Sequence, residues 1–198
     1  MEVVGLEEIN ISINEIYSVV KWITNCGHKM NLNTKKLIVI GDSAGGNLAI
    51  SLSLLSKKYK EFNIIYQILL YPVTDCNFEY DSYKKFEGYY NTKSNLKKNW
   101  DNYLPNIIYG NEITASPLKA KIDELKDLPP TLIITAEVDI LRDEGELFAK
   151  KLIQAGIDVT ICRFLCTIHL FVTILPKTNA SKNAIALIVY NINEMLKK

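Results

Sequence analysis

The amino-acid sequence predicts an α/β fold with a mostly parallel sheet and flanking helices. Short runs of apolar, largely β-branched residues alternate with longer segments whose apolar residues recur every three or four positions. The first pattern is typical of buried strands and the second of amphipathic helices. Because strands alternate with helices, we expect parallel pairing through right-handed crossovers and a ligand site at the carboxyl ends of the strands.

Length and composition limit the classes of function. The 198 residues suit a single domain over residues 1–198, and 48% hydrophobic residues are enough for a sizeable core. A net charge of +1 gives no reason to expect nucleic acid or an anionic membrane as a partner. The chain shows neither a long apolar run nor a signal-peptide pattern, so it predicts no membrane span and a cytoplasmic location.

The most informative stretch is a strand, a sharp turn and a helix. Residues 37–40 form the predicted strand, and Gly41-x-Ser43-x-Gly45 has the spacing of a nucleophile elbow. Such a turn is strained so that the hydroxyl projects outward, and it needs small residues two positions to either side, where strand and helix pass closely. The helix start offers free backbone N–H groups, that of Ala44 among them, to a developing negative charge. The alternative is a glycine-rich turn that binds a phosphate or nothing.

Three further strands are expected from apolar runs bounded by turn residues. They cover residues 64–71, 131–135 and 157–164. The spacing of apolar residues also predicts helices beyond the one that follows the elbow. These run from about 7 to 26, from 143 to 155 with Glu144 on the solvent-facing side, and from about 184 to 197.

Two helix boundaries and one irregular segment complete the pattern. Gly156 is the expected C-terminal cap of the helix that ends near residue 155, and Ser181 is the expected N-cap of the last helix. Residues 75–116 are rich in Tyr, Asn and Lys and lack sustained apolar periodicity. We expect short helices lying over the sheet as one wall of a pocket, and a solvated insertion is the alternative.

Three chemistry-bearing residues follow predicted strands. Ser43, Asp139 and His169 each come after a strand's carboxyl end, so a parallel sheet would bring them to one edge. In this order they fit a nucleophile, an orienting carboxylate and a general base. The structural alternatives are a helix-capping or loop carboxylate for Asp139 and a buried core histidine for His169. The other histidine, His28, lies in a loop far from any strand end.

The four cysteines do not indicate a disulfide framework in a chain of this size, and a reducing compartment is expected. Cys162-x3-Cys166-x2-His169 is an alternative zinc triplet. No fourth ligand is evident, however, and buried free cysteine is common.

Several stretches together resemble the hormone-sensitive-lipase-like, or fold-3, branch of the α/β-hydrolases. They are residues 41–49 (GDSAGGNLA), 71–72 (YP), 116–118 (SPL), 128–131 (LPPT), 135–145 (TAEVDILRDEG) and 168–171 (IHLF). The resemblance implies hydrolysis of carboxylic esters with small or medium acyl chains through an acyl-enzyme. Ser43 would be the nucleophile, Asp139 the acid partner and His169 the base, with the Ala44 N–H and Gly45 at the oxyanion. It implies no metal or organic cofactor.

The chain departs from that family's pattern in three places. The family carries a His-Gly-Gly-Gly stretch upstream that forms most of the oxyanion hole, and the 42 residues before Ser43 contain no Gly-Gly pair. Leu170 and Cys166 stand where the family has glycine. We therefore expect the C-terminal portion of the fold, with weak or no activity alone and with strand 37–40 as an exposed edge that favours self-association. One alternative function is an impaired remnant that binds an acyl ligand or a partner chain. Another is a thioesterase or peptidase that uses the same three residues, because the walls of the pocket determine the leaving group.

Overall fold

The computed structural model describes residues 11–104 and 106–197. Its centre is a four-stranded sheet in the order β1-β2-β3-β4, and every neighbouring pair is parallel. The expected parallel sheet is therefore confirmed. The strands are β1 (Leu37–Asp42), β2 (Ile64–Leu70), β3 (Thr131–Val138) and β4 (Val159–Ile168). β3 and β4 continue past the predicted ends because their pairing extends through a bulge to Val138 and Ile168.

Helices cover both faces of the sheet, and shorter helices lie over the carboxyl ends of its strands. They are α1 (Ile11–Cys26), α2 (Ala44–Tyr59), α3 (Asp81–Lys85), α4 (Lys93–Tyr103), α5 (Ile122–Leu125), α6 (Arg142–Gln154), α7 (Phe171–Ile174) and α8 (Asn179–Lys197). Short 3-10 turns occupy Gly27–Met30, Ile107–Asn111 and Pro117–Lys119. No described helix has the combination of length and apolar character needed to cross a membrane.

Alternating side chains of the central strands define two cores. Leu69 and Ile133 pack on one face with residues of α2 and α6. Their neighbours Ile68 and Leu132 pack on the other face with residues of α7 and α8. All four are fully buried, and burial on both faces explains why these strands are continuous apolar runs instead of alternating ones.

Two predicted helix boundaries differ from the structure or lie outside the described residues, and a third agrees with it. α8 begins at Asn179, and Ser181 is not its N-cap, because its buried hydroxyl donates to the carbonyl of Val172 at 2.9 Å. The hydroxyl oxygen of Thr178 instead accepts from the Ser181 backbone N–H at 3.2 Å. Gly156 has the left-handed φ of 83° expected after a helix. The predicted start of the first helix, at residues 7–10, lies outside the described part.

The segment 75–116 contains the helices α3 and α4 and the 3-10 turn at Ile107–Asn111, joined by irregular stretches. It forms a buried cluster with residues that follow β3, in which Tyr83 and Trp100 pack beside Ile140 and Leu141. This packing favours a pocket wall over a solvated insertion for this segment. Its helices lie over the carboxyl edge of the sheet, where Ser43, Asp139 and His169 follow their strands.

Among the described residues, β1 pairs with β2 alone and forms one edge of the sheet. Ile40 on this strand is 54% exposed. This exposure agrees with the apolar edge expected for residues 37–40.

Candidate active site

The turn after β1 carries Ser43 in a strained conformation. Its φ of 54° and ψ of −118° are unusual for a residue with a side chain. The surrounding backbone holds this strain in place. The Ser43 N–H donates to the Leu70 carbonyl at 2.9 Å, and its carbonyl accepts from the Val73 N–H at 3.1 Å. The strand-turn-helix expected of an elbow is therefore present.

The elbow glycines differ in how much space surrounds them. A Cβ on Gly41 would lie 2.1 Å from the backbone oxygen of Gly45, so only glycine fits there. A Cβ on Gly45 itself would meet nothing closer than 3.7 Å. The expected need for a small residue two positions after the serine is wrong. The close approach falls one residue later, where a Cβ on Gly46 would lie 2.8 Å from the Cβ of Pro72.

The structure brings Ser43, His169 and Asp139 together in one chain of hydrogen bonds. His169 Nε2 lies 2.9 Å from Ser43 Oγ, and His169 Nδ1 lies 2.7 Å from Asp139 Oδ2. The other carboxylate oxygen, Oδ1, accepts from the backbone N–H of Leu141 at 3.0 Å. A neutral imidazole protonated on Nδ1 satisfies both contacts, donating to the carboxylate and accepting from the hydroxyl.

Two tyrosines contact the imidazole of His169. The ring of Tyr71 meets it edge-on at 4.9 Å between centroids, and the ring of Tyr90 lies 5.8 Å away at 42°. Tyr71 is fully buried and has a positive φ of 38°, whereas Tyr90 is 44% exposed. Neither residue was assigned to the site from the sequence. The Tyr71-Pro72 pair within the family-like motifs was the available signal for Tyr71.

The end of β4 and the turn after it, which carry His169, contain two left-handed residues other than glycine. Cys166 has a φ of 57° and Leu170 a φ of 61°. These are the two positions where the resembled family has glycine, which adopts such angles without steric cost. The backbone N–H of Cys166 donates to Glu137 at 2.7 Å. His169 stays within reach of Ser43 despite both departures.

The start of α2 supplies backbone donors beside the serine. Ala44 and Gly45 are its first two residues, so their N–H groups have no acceptor within the helix and lie at the positive end of its dipole. Asn47, which was not singled out from the sequence, is buried one turn later. Its amide donates to the carbonyls of Val73 at 3.1 Å and Ala115 at 2.7 Å, which ties the elbow helix to two neighbouring loops.

A cavity of about 330 Å³ opens beside Ser43. Its walls come from the elbow and the start of α2, from residues between Val73 and Tyr103, and from Ser12 of α1. The lining is largely apolar, with Leu48, Val73, Leu96 and Trp100, and its polar members include Asn91 and Asn99. Such a space suits a small apolar group attached to the serine.

Glu144 is fully buried in the first turn of α6, so its expected solvent-facing position is wrong. Its carboxylate accepts from the backbone N–H groups of Thr74 at 2.7 Å and Asp75 at 3.2 Å, and from the Tyr83 hydroxyl at 3.0 Å. Burial, the largest effect, raises the pKa of Glu144 to about 8. The carboxylate thereby anchors the segment that follows β2.

The described positions of Cys162, Cys166 and His169 do not fit the zinc site that the sequence offered as an alternative. Both ring nitrogens of His169 already contact Ser43 and Asp139. Over residues 11–104 and 106–197, no group of three or more acidic, histidine or cysteine side chains could hold a metal. Cys162 and Cys166 are free thiols, and His28 is exposed in a 3-10 turn away from the site.

Comparisons with known proteins place the chain in a family. The profile of a family described as the α/β-hydrolase fold matches residues 7–173. Vegetative-specific protein H5 of Dictyostelium discoideum is 47% identical over 155 residues, which are 76% of this chain and 46% of that protein. An esterase of Gibberella moniliformis is 32% identical over 78% of this chain and 50% of its own length.

Solved structures extend the comparison. A crystallised fungal esterase from Rhizomucor miehei is 40% identical, with a TM-score of 0.91 over 96% of this chain and 60% of that one. The chain spans about half the length of the curated relatives that it matches. From the match over residues 7–173 and from these relatives, the chain belongs to the α/β-hydrolase family, in its hormone-sensitive-lipase-like branch.

Proposed function

We propose that this chain carries the catalytic residues of a serine esterase that acts on small carboxylic esters. The observation that carries the proposal is the hydrogen-bonded series from Ser43 through His169 to Asp139, with distances of 2.9 and 2.7 Å. The esterases among its relatives support the same reaction class. Residues 75–116 contribute one wall of the site.

The reaction follows from these positions. His169 Nε2 takes the proton of Ser43 as Oγ bonds to the ester carbonyl carbon, and Asp139 stabilises the imidazolium. The carbonyl oxygen becomes an oxyanion near the N–H groups of Ala44 and Gly45. The carbon–oxygen bond to the alcohol then breaks, and His169 returns the proton to the departing oxygen. Water, activated by the same imidazole, hydrolyses the acyl-serine and restores Ser43.

A fluorophosphonate probe tests the proposal because it labels only an activated serine. We expect labelling at Ser43 and weak turnover of p-nitrophenyl butyrate, with both abolished by Ser43→Ala. Ser94→Ala, an exposed serine on α4, is the matched control and should keep both signals. Equal labelling of the Ser43→Ala variant would contradict the assignment.

A second candidate function is to bind an acyl ligand or a partner chain without turnover. The observation in its favour is the position of β1 at one edge of the described sheet, with Ile40 54% exposed. An open edge can pair with another chain, including a second copy of this one. No probe labelling, together with concentration-dependent association in sedimentation, would favour this candidate over the esterase.

A further inference from the structure

We propose that an ester lies across Ser43 in one orientation. Its acyl chain occupies the cavity beside α2, and its alcohol part rests on the ring of Tyr90. On this basis the site takes esters that combine a short acyl chain with a flat, aryl-type alcohol. The proposal rests on the esterase function above and adds to it the substrate class and the residue that recognises the alcohol.

The position of His169 determines where the alcohol lies. The departing oxygen must receive its proton from Nε2, which is 2.9 Å from Ser43 Oγ, so this oxygen sits beside the imidazole. His169 is only 1% exposed, so neighbouring side chains cover its ring and the alcohol cannot pass behind it. The alcohol must therefore extend along a side chain that covers the imidazole and is itself accessible to solvent.

Tyr90 is that side chain. Of the two tyrosine rings in contact with His169, Tyr71 is buried and Tyr90 is 44% exposed. A ligand can thus reach only the ring of Tyr90. Aromatic groups favour offset or edge contacts with centroids about 4.5–7 Å apart, so a phenyl-type alcohol gains more from this ring than a short alkyl chain does.

The acyl chain is assigned to the cavity by elimination. The tetrahedral carbon on Ser43 carries an oxyanion near Ala44, a departing oxygen beside His169 and the acyl chain. The cavity is lined by Ser43 and Ala44 and by the apolar side chains of Leu96 and Trp100. At about 330 Å³ it lies at the small end of ligand pockets, which favours an acyl chain of a few carbons.

A short turn joins the two sides of the site. Asn91 lines the cavity, and its neighbour Tyr90 contacts His169. The turn is closed by the Gly88 N–H, which donates to the Asn91 carbonyl at 3.0 Å, and Gly88 has a φ of 83°. This closed turn places the backbone of Tyr90 and Asn91 between the two sides of the site.

The alcohol side is tested with phenyl butyrate and ethyl butyrate, which share an acyl chain. Tyr90→Leu should lower kcat/KM for the phenyl ester about two- to tenfold relative to the ethyl ester. Tyr89→Leu is the matched control, because Tyr89 is 65% exposed and pairs with Phe86. It should leave the ratio unchanged. An equal effect of Tyr90→Leu on both esters would overturn the proposal.

The acyl side is tested with Leu96→Ala, which enlarges the cavity. We expect its preference among phenyl esters to move from butyrate towards octanoate, with the phenyl-to-ethyl ratio unchanged. A changed ratio with unchanged chain-length preference means the opposite orientation and refutes the proposal. If Ser43 labels normally but neither Tyr90→Leu nor Leu96→Ala changes the substrate preference, the proposed orientation is refuted. The serine esterase function would still stand in that case. Absent labelling and turnover in the unaltered protein would refute both.

Discussion

The carboxylate of Glu144 accepts a hydrogen bond from the backbone N–H of Thr74 at 2.7 Å, which joins the first turn of α6 to the segment that follows β2. The same segment reaches the elbow, because the N–H of Val73 donates to the carbonyl of Ser43 at 3.1 Å. Glu144 therefore supports the nucleophile through the backbone without touching it.

The burial of the Glu144 side chain predicts that the stability of the protein depends on pH. The pKa of Glu144 rises from 4.5 to about 8 in the folded chain, so its favourable contribution is complete below pH 4.5 and is lost as the pH rises through about 8. Urea unfolding between pH 5 and 9 should show a loss of at most about 1.4 kcal/mol per pH unit from this group. In Glu144→Gln the neutral amide oxygen still accepts from Thr74, and the slope should flatten.

Glu146→Gln is the matched control for this measurement. Glu146 lies on the same helix but pairs with Arg163 near the surface, so its removal should keep the pH slope. An unchanged slope in Glu144→Gln would show that the buried carboxyl group does not cause the loss of stability at higher pH.

The two elbow glycines should respond oppositely to alanine. Gly41→Ala places a Cβ 2.1 Å from the Gly45 oxygen, a backbone atom that cannot move alone, so we expect loss of folding or of probe labelling at Ser43. Gly45→Ala meets only ordinary contacts and, inside a helix, should keep labelling and add up to about 1 kcal/mol of stability. Thermal unfolding and labelling of both variants check this. Equal tolerance of both substitutions would contradict the expected clash at Gly41.

Cys166 is a candidate for stabilisation by glycine. A left-handed φ of 57° costs an ordinary residue about 1–2 kcal/mol, and the side chain is exposed, so its removal loses little packing. Glycine gives back part of that gain because its unfolded chain has more freedom. Cys166→Gly should therefore stabilise the protein by about 0.5–1 kcal/mol in urea unfolding. Cys162→Gly, on the same strand but without a left-handed φ, is the control and should not stabilise. A destabilised Cys166→Gly would contradict the expected backbone strain.

The sequence was sufficient for features that depend on local patterns. Strand ends are marked by short apolar runs, and parallel strands share an edge, so Ser43, Asp139 and His169 could be expected to meet. Features that depend on distant neighbours were not predictable. Glu144 looks like an acidic residue suited to the positive start of a helix, and its burial depends on a segment some seventy positions earlier. The close approach at Gly46 likewise requires Pro72, which follows a different strand.

The turn that ends in Tyr90 and Asn91 has a consequence for how this protein can diversify. It lies outside the sheet, and both of its last residues remain at least partly accessible to solvent. A few exchanges there would alter the acyl and the alcohol preference together while the nucleophile and its strands stay as they are. On the proposed orientation, the substrate range of this protein can change at little expense to folding, and grafting this turn is a direct route to engineer it.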